Sequence, residues 1–323
     1  MKKNIAIVAG GFSSEFEVSL RSANGIYKAI DRKKYNPYIA VIKKDSWDVL
    51  LDGGGATPID RSDFSFVSEG QRIKIDYAYI TIHGTPGENG QLQGYFDMTG
   101  IPYSSCDVFA SALTFNKFAC NKFLGAMGVR VADSLILRRG EPYEMLEIVA
   151  KLGVPVFVKP NDNGSSFGVS RVNEPSQLKQ AIDHAFAEGN EVMIERFIPG
   201  TEVTCGCFKA GNEMTVLPVT EVVPKNEFFD YGAKYNGEVQ EITPARISDV
   251  LRDKVQQTTS YIYKALGAKG IIRVDYIIPD DGEPVMLEVN TTPGMTETSF
   301  IPQQVRAMGL NMTDVLTLII ENE

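Results

Sequence analysis

The sequence predicts an α/β protein of two or three domains packed around a shared cleft. Strand and helix signals alternate along its first third, which is typical of sheets covered by helices. At 323 residues the chain exceeds what one hydrophobic core usually serves. Its 43% hydrophobic and 23% charged residues are ordinary globular usage, which excludes a disordered, collagen-like or coiled-coil protein.

The first third contains three short apolar runs, at residues 5–9, 38–42 and 77–82. A helix is predicted between the first two runs, because apolar residues recur there with helical spacing. Ser14 and Glu17 predict a capping box at its start. This alternation predicts a parallel sheet with helices on its faces. The helical stripe consists of Phe16, Leu20, Ala23, Tyr27 and Ile30.

A second, smaller α/β unit is predicted next. Its elements are a helix at 110–127, a strand at 131–137, a helix at 143–152, strands at 154–159 and 169–172, a helix at 175–188 and a strand at 192–195. The C-terminal part has α+β character. It has strands at 202–209 and 214–222, a polar segment at 224–244, a helix at 249–266, a strand pair and a terminal helix near 312–320.

Net charge and composition exclude several classes of partner. A net charge of −9 and a pI near 5.0 leave no general basic surface for nucleic acid or anionic lipid. No segment approaches the ~18 apolar residues of a membrane span, and no leader pattern follows Lys2 and Lys3. We therefore expect a cytoplasmic protein. The four cysteines and two histidines lack metal-ligand spacing, so the cysteines are interpreted as buried thiols.

Residues 270–290 predict an antiparallel hairpin around the turn at 280–282. Pairing symmetric about Asp281 and Gly282 places four polar residues on one face, because side chains alternate along a strand. The opposed pairs on that face are Asp275 with Glu288, and Arg273 with Asn290. The other face is apolar, with Ile272, Val274, Tyr276 and Ile278 against Val285, Leu287 and Val289.

Two opposed carboxylates on a sheet destabilise each other, so Asp275 and Glu288 require a compensating cation. Oxygen ligands from Asp, Glu and Asn suit Mg²⁺, which takes the rest of its shell from water and phosphates. The alternative is that both carboxylates pair with Arg273 or face solvent. Pro279 and Pro284 widen the turn, which leaves the register open.

A second group of polar residues is suited to a polyphosphate. Lys159 ends an apolar strand, and in residues 161–168 the small glycines and serines allow backbone N–H groups to approach phosphate closely. Neither the Walker pattern nor the dinucleotide fingerprint is present. Residues 195–202 could act as a hinge that contacts an adenine edge. The alternative for residues 161–168 is an ordinary turn, and the alternative for residues 195–202 is an inter-domain linker. The aromatic-rich segment 224–244 is long for a plain connection and is interpreted as a lid.

Taken in order, these motifs resemble the D-alanine–D-alanine ligase family of the ATP-grasp superfamily. The match runs from the first signature at 10–19, through His83-Gly84-Thr85-Pro86-Gly87-Glu88-Asn89-Gly90, to the closing signature at 290–300. The resemblance implies three domains. Residues 1–104 would hold the first D-alanine, 105–195 would form the small central domain, and 196–323 would carry the lid 224–244 and the metal site.

The resemblance also implies a role for each matched residue. Glu15 would hold the ammonium of the first D-alanine, with His83 and Val18 close to it. Ser165 and Tyr235 would join Glu15 in a hydrogen-bonded triad, while Arg273 and the Gly294 N–H would form an oxyanion site. Ser299 and Phe300 would hold the second substrate. The ATP-binding residues would be Lys117, Phe157, Lys159, Ser166, Glu195, Phe197, Ile198, Glu202, Phe228, Lys234 and Leu287. Asp275, Glu288 and Asn290 would bind Mg²⁺ or Mn²⁺, with two ions in the site.

The implied activity is ATP-dependent ligation of two D-alanine molecules through a D-alanyl phosphate, for peptidoglycan synthesis, by a homodimer. Two alternatives stay open. One is a related ATP-grasp ligase that uses D-lactate or D-serine as its second substrate, which product analysis would distinguish. The other is a non-catalytic nucleotide-binding relative, because a fold by itself does not prove activity.

Overall fold

Three β-sheets follow one another along the chain, and the computed structural model describes residues 2–162, 167–224 and 239–322. Each sheet carries its own layer of helices, in keeping with the predicted α/β class. Within the described ranges, no helix combines the length and the apolar character needed to cross a membrane.

The first sheet is parallel at its centre and antiparallel beyond it. Its strands are β1 (Lys3–Gly10), β2 (Tyr35–Ile42), β3 (Trp47–Leu50), β4 (Ala56–Asp60), β5 (Ser65–Ser68), β6 (Gln71–Ile73) and β7 (Tyr77–Ile80), in the order β6-β5-β4-β3-β2-β1-β7. β1 pairs in parallel with β2 and β7, as predicted. The strands β3 to β6, which were not predicted, extend this sheet with antiparallel pairs. Their connections are too short for the crossover that a parallel pair requires.

Two helices follow strands of this sheet, α1 (Phe16–Ala29) and α2 (Gln91–Thr99). The predicted capping box at α1 is wrong, because Glu15 is the N-cap residue and its side chain makes no capping hydrogen bond. Ser13 orders the turn instead. Its hydroxyl donates to the His83 carbonyl at 2.9 Å and accepts from the Glu15 N–H at 3.3 Å. The helix start is therefore tied to the loop that follows β7.

The second sheet is antiparallel. It contains β8 (Ser134–Arg138), β9 (Val156–Pro160), β10 (Ser170–Val172) and β11 (Glu191–Arg196), in the order β10-β9-β11-β8. Helices α5 (Met145–Leu152) and α6 (Leu178–Glu188) pack on it. Their shared core includes Val158, Ile182 and Ile194, none of which is exposed.

The third sheet contains β12 (Thr201–Ala210), β13 (Glu213–Val216), β14 (Thr220–Pro224), β15 (Val239–Ile242), β16 (Ile271–Ile278) and β17 (Val285–Asn290). Its order is β15-β14-β12-β16-β17, with β13 paired to β12. The helices around it are α3 (Val108–Phe115), α4 (Lys117–Ala126), α7 (Asp249–Ala265), α8 (Phe300–Ala307) and α9 (Met312–Asn322). Hydrophobic cores on its two faces hold this sheet against the surrounding helices.

Two predicted elements are each divided in the structure. The helix predicted at 110–127 is α3 followed by α4, because Asn116 leaves the helical conformation and its side chain caps α4 by accepting from the Ala119 N–H at 2.9 Å. The strand predicted at 214–222 is β13 followed by β14. Pro218 lies between them and has no N–H to donate to a sheet.

One apolar core joins the first sheet to the C-terminal helices. Ile5 and Ile7 of β1 belong to the same buried cluster as Ile301 of α8 and Ile319 of α9. The start of α1 and the segment 291–299 are consequently held beside each other, although more than 260 residues separate them in the chain.

Gly270 lies where the third sheet meets residue Ser104. A Cβ at Gly270 would come within 1.9 Å of the Ser104 carbonyl oxygen, whereas a Cβ at Gly267 would meet nothing within 4 Å. The two glycines have nearly equal positive φ angles, +61° and +59°. They therefore differ in packing and not in backbone strain.

We predict that Gly267→Ala lowers the free energy of unfolding by about 1 kcal/mol, the cost of a left-handed backbone. Gly270→Ala should cost at least ~2 kcal/mol more, because the added methyl group displaces a backbone carbonyl. Urea unfolding of the two variants measures the difference. Equal losses would show that the contact with Ser104 is unimportant.

Candidate active site

The polar face of the β16–β17 hairpin forms the floor of the site. Arg273 pairs with Asn290, and Asp275 pairs with Glu288, so the predicted register is confirmed. A bulge follows Asp275 and shifts the pairing, so that Tyr276 lies opposite Met286. As a result, Met286 is buried and Leu287 is partly exposed. The expectation that Leu287 belongs to the apolar core face is therefore wrong.

Asp275 is surrounded by donors. Arg273 Nε and Nη2 donate to its two carboxylate oxygens at 2.9 and 2.7 Å. The Thr204 hydroxyl donates to Oδ1 at 2.6 Å, and Asn290 Nδ2 donates to Oδ2 at 3.2 Å. Burial lowers the pKa of Arg273, but the charge of Asp275 and its hydrogen bonds outweigh burial and raise it above the ordinary value. Arg273 is thus a fixed cation in the floor.

Glu288 also lies near a cation. Lys117 Nζ is 3.7 Å from Glu288 Oε2, and Lys117 is the first residue of α4. The alternative considered for the hairpin, in which both carboxylates pair with Arg273 or face solvent, therefore describes Asp275 in this structure. Glu288 lies near Lys117 instead.

The donor chemistry of the floor fits Mg²⁺ or Mn²⁺. Asp275, Glu288 and Asn290 offer only carboxylate and amide oxygens, which hard divalent ions prefer. Among the residues that the structure describes, no group of three His, Cys, Asp or Glu side chains could hold a metal ion. Two carboxylates and an amide would need phosphate oxygens and water to complete the shell, which is the usual manner of Mg²⁺ binding at nucleotide sites.

Two lysines predicted to bind ATP phosphates are linked through Asn161. Its backbone oxygen accepts from the Lys117 N–H at 3.1 Å, and its side chain accepts from the Phe118 N–H at 2.8 Å. Lys159 lies two residues before Asn161, and its Nζ donates to Glu195 at 2.7 Å. Sequence reasoning placed Asn161 only in a phosphate loop, so its role at the start of α4 was missed.

Aromatic rings and a buried acid line the predicted adenine pocket. Phe157 and Phe197 have ring centroids 5.8 Å apart, and Arg171 lies 4.2 Å above the Phe197 ring. Glu195 is only 3% exposed and pairs with Phe157 across β9 and β11. Ile198 follows this group and is partly buried, while Glu202 lies on β12. Glu195, Phe197, Ile198 and Glu202 therefore lie on the stretch of chain that leads from β11 to β12, and the structure places Phe157 of β9 beside it.

The residues predicted for the first amino acid gather at the start of α1. Glu15 is the N-cap residue of this helix, and Val18 is partly buried on its first turn. His83 is 7% exposed, and its carbonyl accepts from the Ser13 hydroxyl next to Glu15. The Thr292 hydroxyl donates to the Ile82 carbonyl at 3.0 Å. That bond joins the closing segment to the same corner.

Glu88 is a further acid in this corner, and sequence reasoning missed it as a site residue. It accepts from the Gly84 N–H at 2.6 Å. Burial and then the charge of Glu15 raise the pKa of Glu88 to about 7, while Gly84, Thr292 and Lys117 act in the opposite direction. Its position in the second signature, five residues after His83, was the available signal.

The closing segment brings the predicted oxyanion and second-substrate residues together. A Cβ at Gly294 would lie 2.9 Å from Ser299 Oγ. Ser299 Oγ is 2.7 Å from the Thr296 hydroxyl and accepts from the Thr296 N–H at 3.1 Å. The Arg273 guanidinium is 5.3 Å from the centroid of the Phe300 ring. Arg273 therefore lies beside Phe300, and Gly294 lies beside Ser299, the residue before Phe300.

Helix α1 supports the closing segment from behind. The Met295 N–H donates to the Ser22 hydroxyl at 3.2 Å, and a Cβ on Gly25 would lie 2.5 Å from the Met295 carbonyl oxygen. The same helix therefore carries Glu15 at its start and fixes the backbone next to Gly294.

Five of the predicted site residues lie outside the part of the chain that the structure describes. They are Ser165, Ser166, Phe228, Lys234 and Tyr235. Most of the predicted lid, and Asn163 of the phosphate loop, also fall in these ranges.

Comparisons with known proteins agree with this geometry. Residues 4–106 match the family model described as D-ala D-ala ligase N-terminus, and residues 123–321 match D-ala D-ala ligase C-terminus. A D-alanine--D-alanine ligase of Parabacteroides distasonis is 64% identical over 323 residues, covering 100% of this chain and 98% of the relative. Another, from Phocaeicola vulgatus, is 59% identical and covered in full on both sides.

Solved structures show the same likeness. The VanG D-Ala:D-Ser ligase of Enterococcus faecalis has a TM-score of 0.89 at 35% identity, covering 99% of both chains. The D-alanyl-alanine synthetase A of Vibrio cholerae has a TM-score of 0.89 at 26% identity, covering 99% of this chain and 98% of the other. A Bacillus anthracis D-alanine--D-alanine ligase complexed with ATP has a TM-score of 0.79 at 29% identity, covering 99% and 97%.

We predict that Glu88 makes stability fall with rising pH. Its pKa is about 7 in the folded chain against an ordinary value of 4.5, so between these values the folded state holds a proton that the unfolded state has lost. The free energy of unfolding therefore decreases across this window, by up to about 1.4 kcal/mol per pH unit.

Glu88→Gln keeps the acceptor for Gly84 and removes the titration, so its stability should not show this decrease. Urea unfolding from pH 5 to pH 8 measures the slope, with Glu17→Gln on the exposed side of α1 as the control. Parallel curves for the wild type and Glu88→Gln would contradict the assignment.

Proposed function

The chain belongs to the D-alanine–D-alanine ligase family, and we propose that the cleft above the β16–β17 floor joins two D-alanine molecules in two ATP-driven steps. The chain is a ligase with ATP and D-alanine as substrates, and its product serves cell-wall synthesis. The assignments of individual residues below are part of the proposal.

In the first step, the γ-phosphoryl group of ATP passes to the carboxylate of the first D-alanine. A carboxylate is a poor acyl donor, and the resulting D-alanyl phosphate gives it a good leaving group. Glu15 binds the ammonium of this D-alanine, while Lys117 and Lys159 neutralise charge on the phosphates. Phe157, Glu195, Phe197, Ile198 and Glu202 bind adenine and ribose, and Leu287 contacts the nucleotide from the floor.

Asp275, Glu288 and Asn290 would hold Mg²⁺ or Mn²⁺, which supplies positive charge to the phosphate oxygens when bound. The chain's own contribution is to hold the side-chain oxygens of the floor in fixed positions. Thr204 and Arg273 fix the Asp275 carboxylate from one side, so it does not reorient during the reaction.

In the second step, the amine of the second D-alanine attacks the acyl carbonyl, and phosphate leaves. Arg273 and the Gly294 N–H stabilise the oxyanion that forms, an effect typically worth about 10²–10³ in rate per donor. Ser299 and the N–H of Phe300 bind the carboxylate of this second amino acid at the N-terminus of α8, where a negative charge is favoured.

One observation carries the proposal. The cation Arg273 lies between the oxygen-rich floor that suits a metal and phosphates and the closing segment that suits an amino acid. A non-catalytic nucleotide-binding module would need only the oxygen-rich floor and not the closing segment. The three ranges 1–104, 105–195 and 196–323 are proposed as domains, and the protein is proposed to act as a homodimer in the cytoplasm.

D-serine as the second substrate is the alternative with an observation in its favour, because the 35% identical VanG structure is named a D-Ala:D-Ser ligase. The relatives at 55–64% identity are all named D-alanine--D-alanine ligase, which favours D-alanine.

We predict that ADP is released when ATP and D-alanine are both present, and that the product has the mass of a D-alanine dipeptide. L-alanine should not support ADP release, and D-serine or D-lactate added with D-alanine should give little mixed product. Mass spectrometry of the products decides among the candidates. If the mixed product exceeds the D-alanine dipeptide, D-serine or D-lactate is the second substrate and not D-alanine.

We predict that Glu288→Gln lowers Mg²⁺-dependent turnover by at least ~10², because the floor loses a charged ligand. It should also abolish the increase in melting temperature that Mg²⁺ adds to the ATP complex. Glu283→Gln, on the solvent side of the same hairpin, is the matched control and should keep both properties. Normal turnover in Glu288→Gln would remove Glu288 from the metal site.

A further inference from the structure

A buried glutamine on α8 makes a complete set of hydrogen bonds with the third sheet. Gln304 has no exposed surface. Its amide oxygen accepts from the Gly206 N–H at 3.0 Å, and its amide nitrogen donates to the Thr204 carbonyl and to the Thr220 hydroxyl, each at 3.1 Å. Both N–H groups and the oxygen are used, so only one orientation of the amide satisfies its neighbours.

The bond from Gln304 to the Thr204 carbonyl leads to the floor of the site. Thr204 lies opposite Asp275 across β12 and β16, and its hydroxyl donates to Asp275 Oδ1 at 2.6 Å. The backbone of the same threonine accepts from Gln304. Thr204 therefore joins the carboxylate of the floor to α8 through two hydrogen bonds.

The bond from Gln304 to the Thr220 hydroxyl leads to β14 and β15, the strands on either side of residues 225–238. Thr220 begins β14 and lies opposite Thr204. Its hydroxyl is 2.7 Å from that of Thr243, which follows β15. Gln304 is thus bonded to the point where β12, β14 and the end of β15 come together.

Helix α8 packs closely on β12 at Gly206, so a larger residue there would displace the side-chain ends of α8 that contact it. A Cβ on Gly206 would lie 2.7 Å from Gln304 Oε1 and 2.5 Å from Ile301 Cδ1. Gly206 in turn lies opposite Arg273. The distance between α8 and the strand next to Arg273 is consequently set by direct contact.

We propose that Gln304 is a positioning residue for the second amino acid substrate. By bonding α8 to β12, it fixes Ser299 and the Phe300 N–H, at the start of α8, relative to Arg273 and Asp275. The apolar contacts of Ile301 and Val305 hold the helix against the sheet but have no preferred direction along it. The directional bonds of one buried amide supply that register. This proposal rests on the proposed function.

A purely structural role for Gln304 predicts a different result. It would lower stability and affect all substrates alike. A positioning role acts mainly on the acceptor amino acid, since Ser299 and Phe300 lie at the start of α8 itself. Asp275 keeps its bonds from Arg273 and Asn290 without Gln304. When the acceptor is badly placed, D-alanyl phosphate is lost to water, and less than one dipeptide forms per ADP released.

The test uses Gln304→Met, which keeps the length of the side chain and removes its hydrogen bonds. Gln256→Met is the matched control, because Gln256 on α7 donates a hydrogen bond to the Leu217 carbonyl at 3.0 Å, a residue that is not part of α8. We expect the D-alanine concentration that half-saturates dipeptide formation to rise roughly tenfold in Gln304→Met, about the loss of one buried hydrogen bond.

The ratio of dipeptide to ADP should fall in Gln304→Met and stay at the wild-type value in Gln256→Met. The KM for ATP should change by less than about twofold in both, which is below the effect of a single lost hydrogen bond. An unchanged ratio in Gln304→Met, or an equal rise in the KM for ATP, would overturn the proposal.

A second pair of variants covers the case in which Gln304→Met does not fold. Thr220→Val removes the acceptor for one Gln304 N–H, whereas Thr220→Ser keeps it. We expect Thr220→Val to lower the ratio of dipeptide to ADP and Thr220→Ser to restore it. Equal ratios in these two variants would also overturn the proposal.

Failure of the proposed function gives a separate result. If the wild-type protein forms no dipeptide, the proposed function is wrong and the role of Gln304 is lost with it. If the wild type forms dipeptide and the variants have the same ratio of dipeptide to ADP, only the role of Gln304 is wrong.

Discussion

The buried ion pair between Arg273 and Asp275 is the interaction on which the rest of the site depends. Two charges removed from water cost several kcal/mol each unless they are paired and fully hydrogen-bonded. Here the pair is bidentate, and Thr204 and Asn290 also donate to the Asp275 oxygens. Each of these donors comes from the sheet itself. The arrangement is therefore stable only while β12, β16 and β17 keep their register.

This constraint explains why the elements around the floor are built so rigidly. Gly206 allows α8 to lie directly on β12, and Gln304 uses its whole amide to hold it there. On the opposite side, α1 supports Met295 through a hydrogen bond to Ser22, and Gly25 has no side chain that would prevent this close approach. Backbone donors contribute to catalysis only when they are already aimed at the developing charge. In the proposed mechanism the Gly294 N–H is such a donor, and these contacts hold the backbone next to it in place.

The charge balance of the cleft points in the same direction. Lys117 lies between the acids Glu288 and Glu88, and Lys159 is bonded to Glu195. A chain with a net charge of −9 thus concentrates cations where we propose that a polyphosphate binds, and places acids beside them that suit a metal ion or an ammonium group. Local charge, and not net charge, decides what this cleft can bind.

The amino-acid sequence by itself determined the local patterns. The hairpin register of Arg273, Asp275, Glu288 and Asn290 followed from the alternation of side chains around a turn, because strand pairing has a period of two. The α/β class followed from apolar spacing, and the lack of metal-ligand spacing predicted the four cysteines to be buried thiols, which all four are. Where a single residue changed the local geometry, as at the bulge after Asp275 or at Asn116, the pattern was not sufficient.

Only the tertiary structure decided which distant residues meet. Glu88 beside Glu15, Gln304 between Thr204 and Thr220, and Ser22 beneath Met295 are contacts across 73 to 273 residues. Such contacts depend on how whole sheets and helices pack, and packing selects among many arrangements by shape and by the need to pair every buried polar group. Residue spacing along one strand or helix carries no information about that choice.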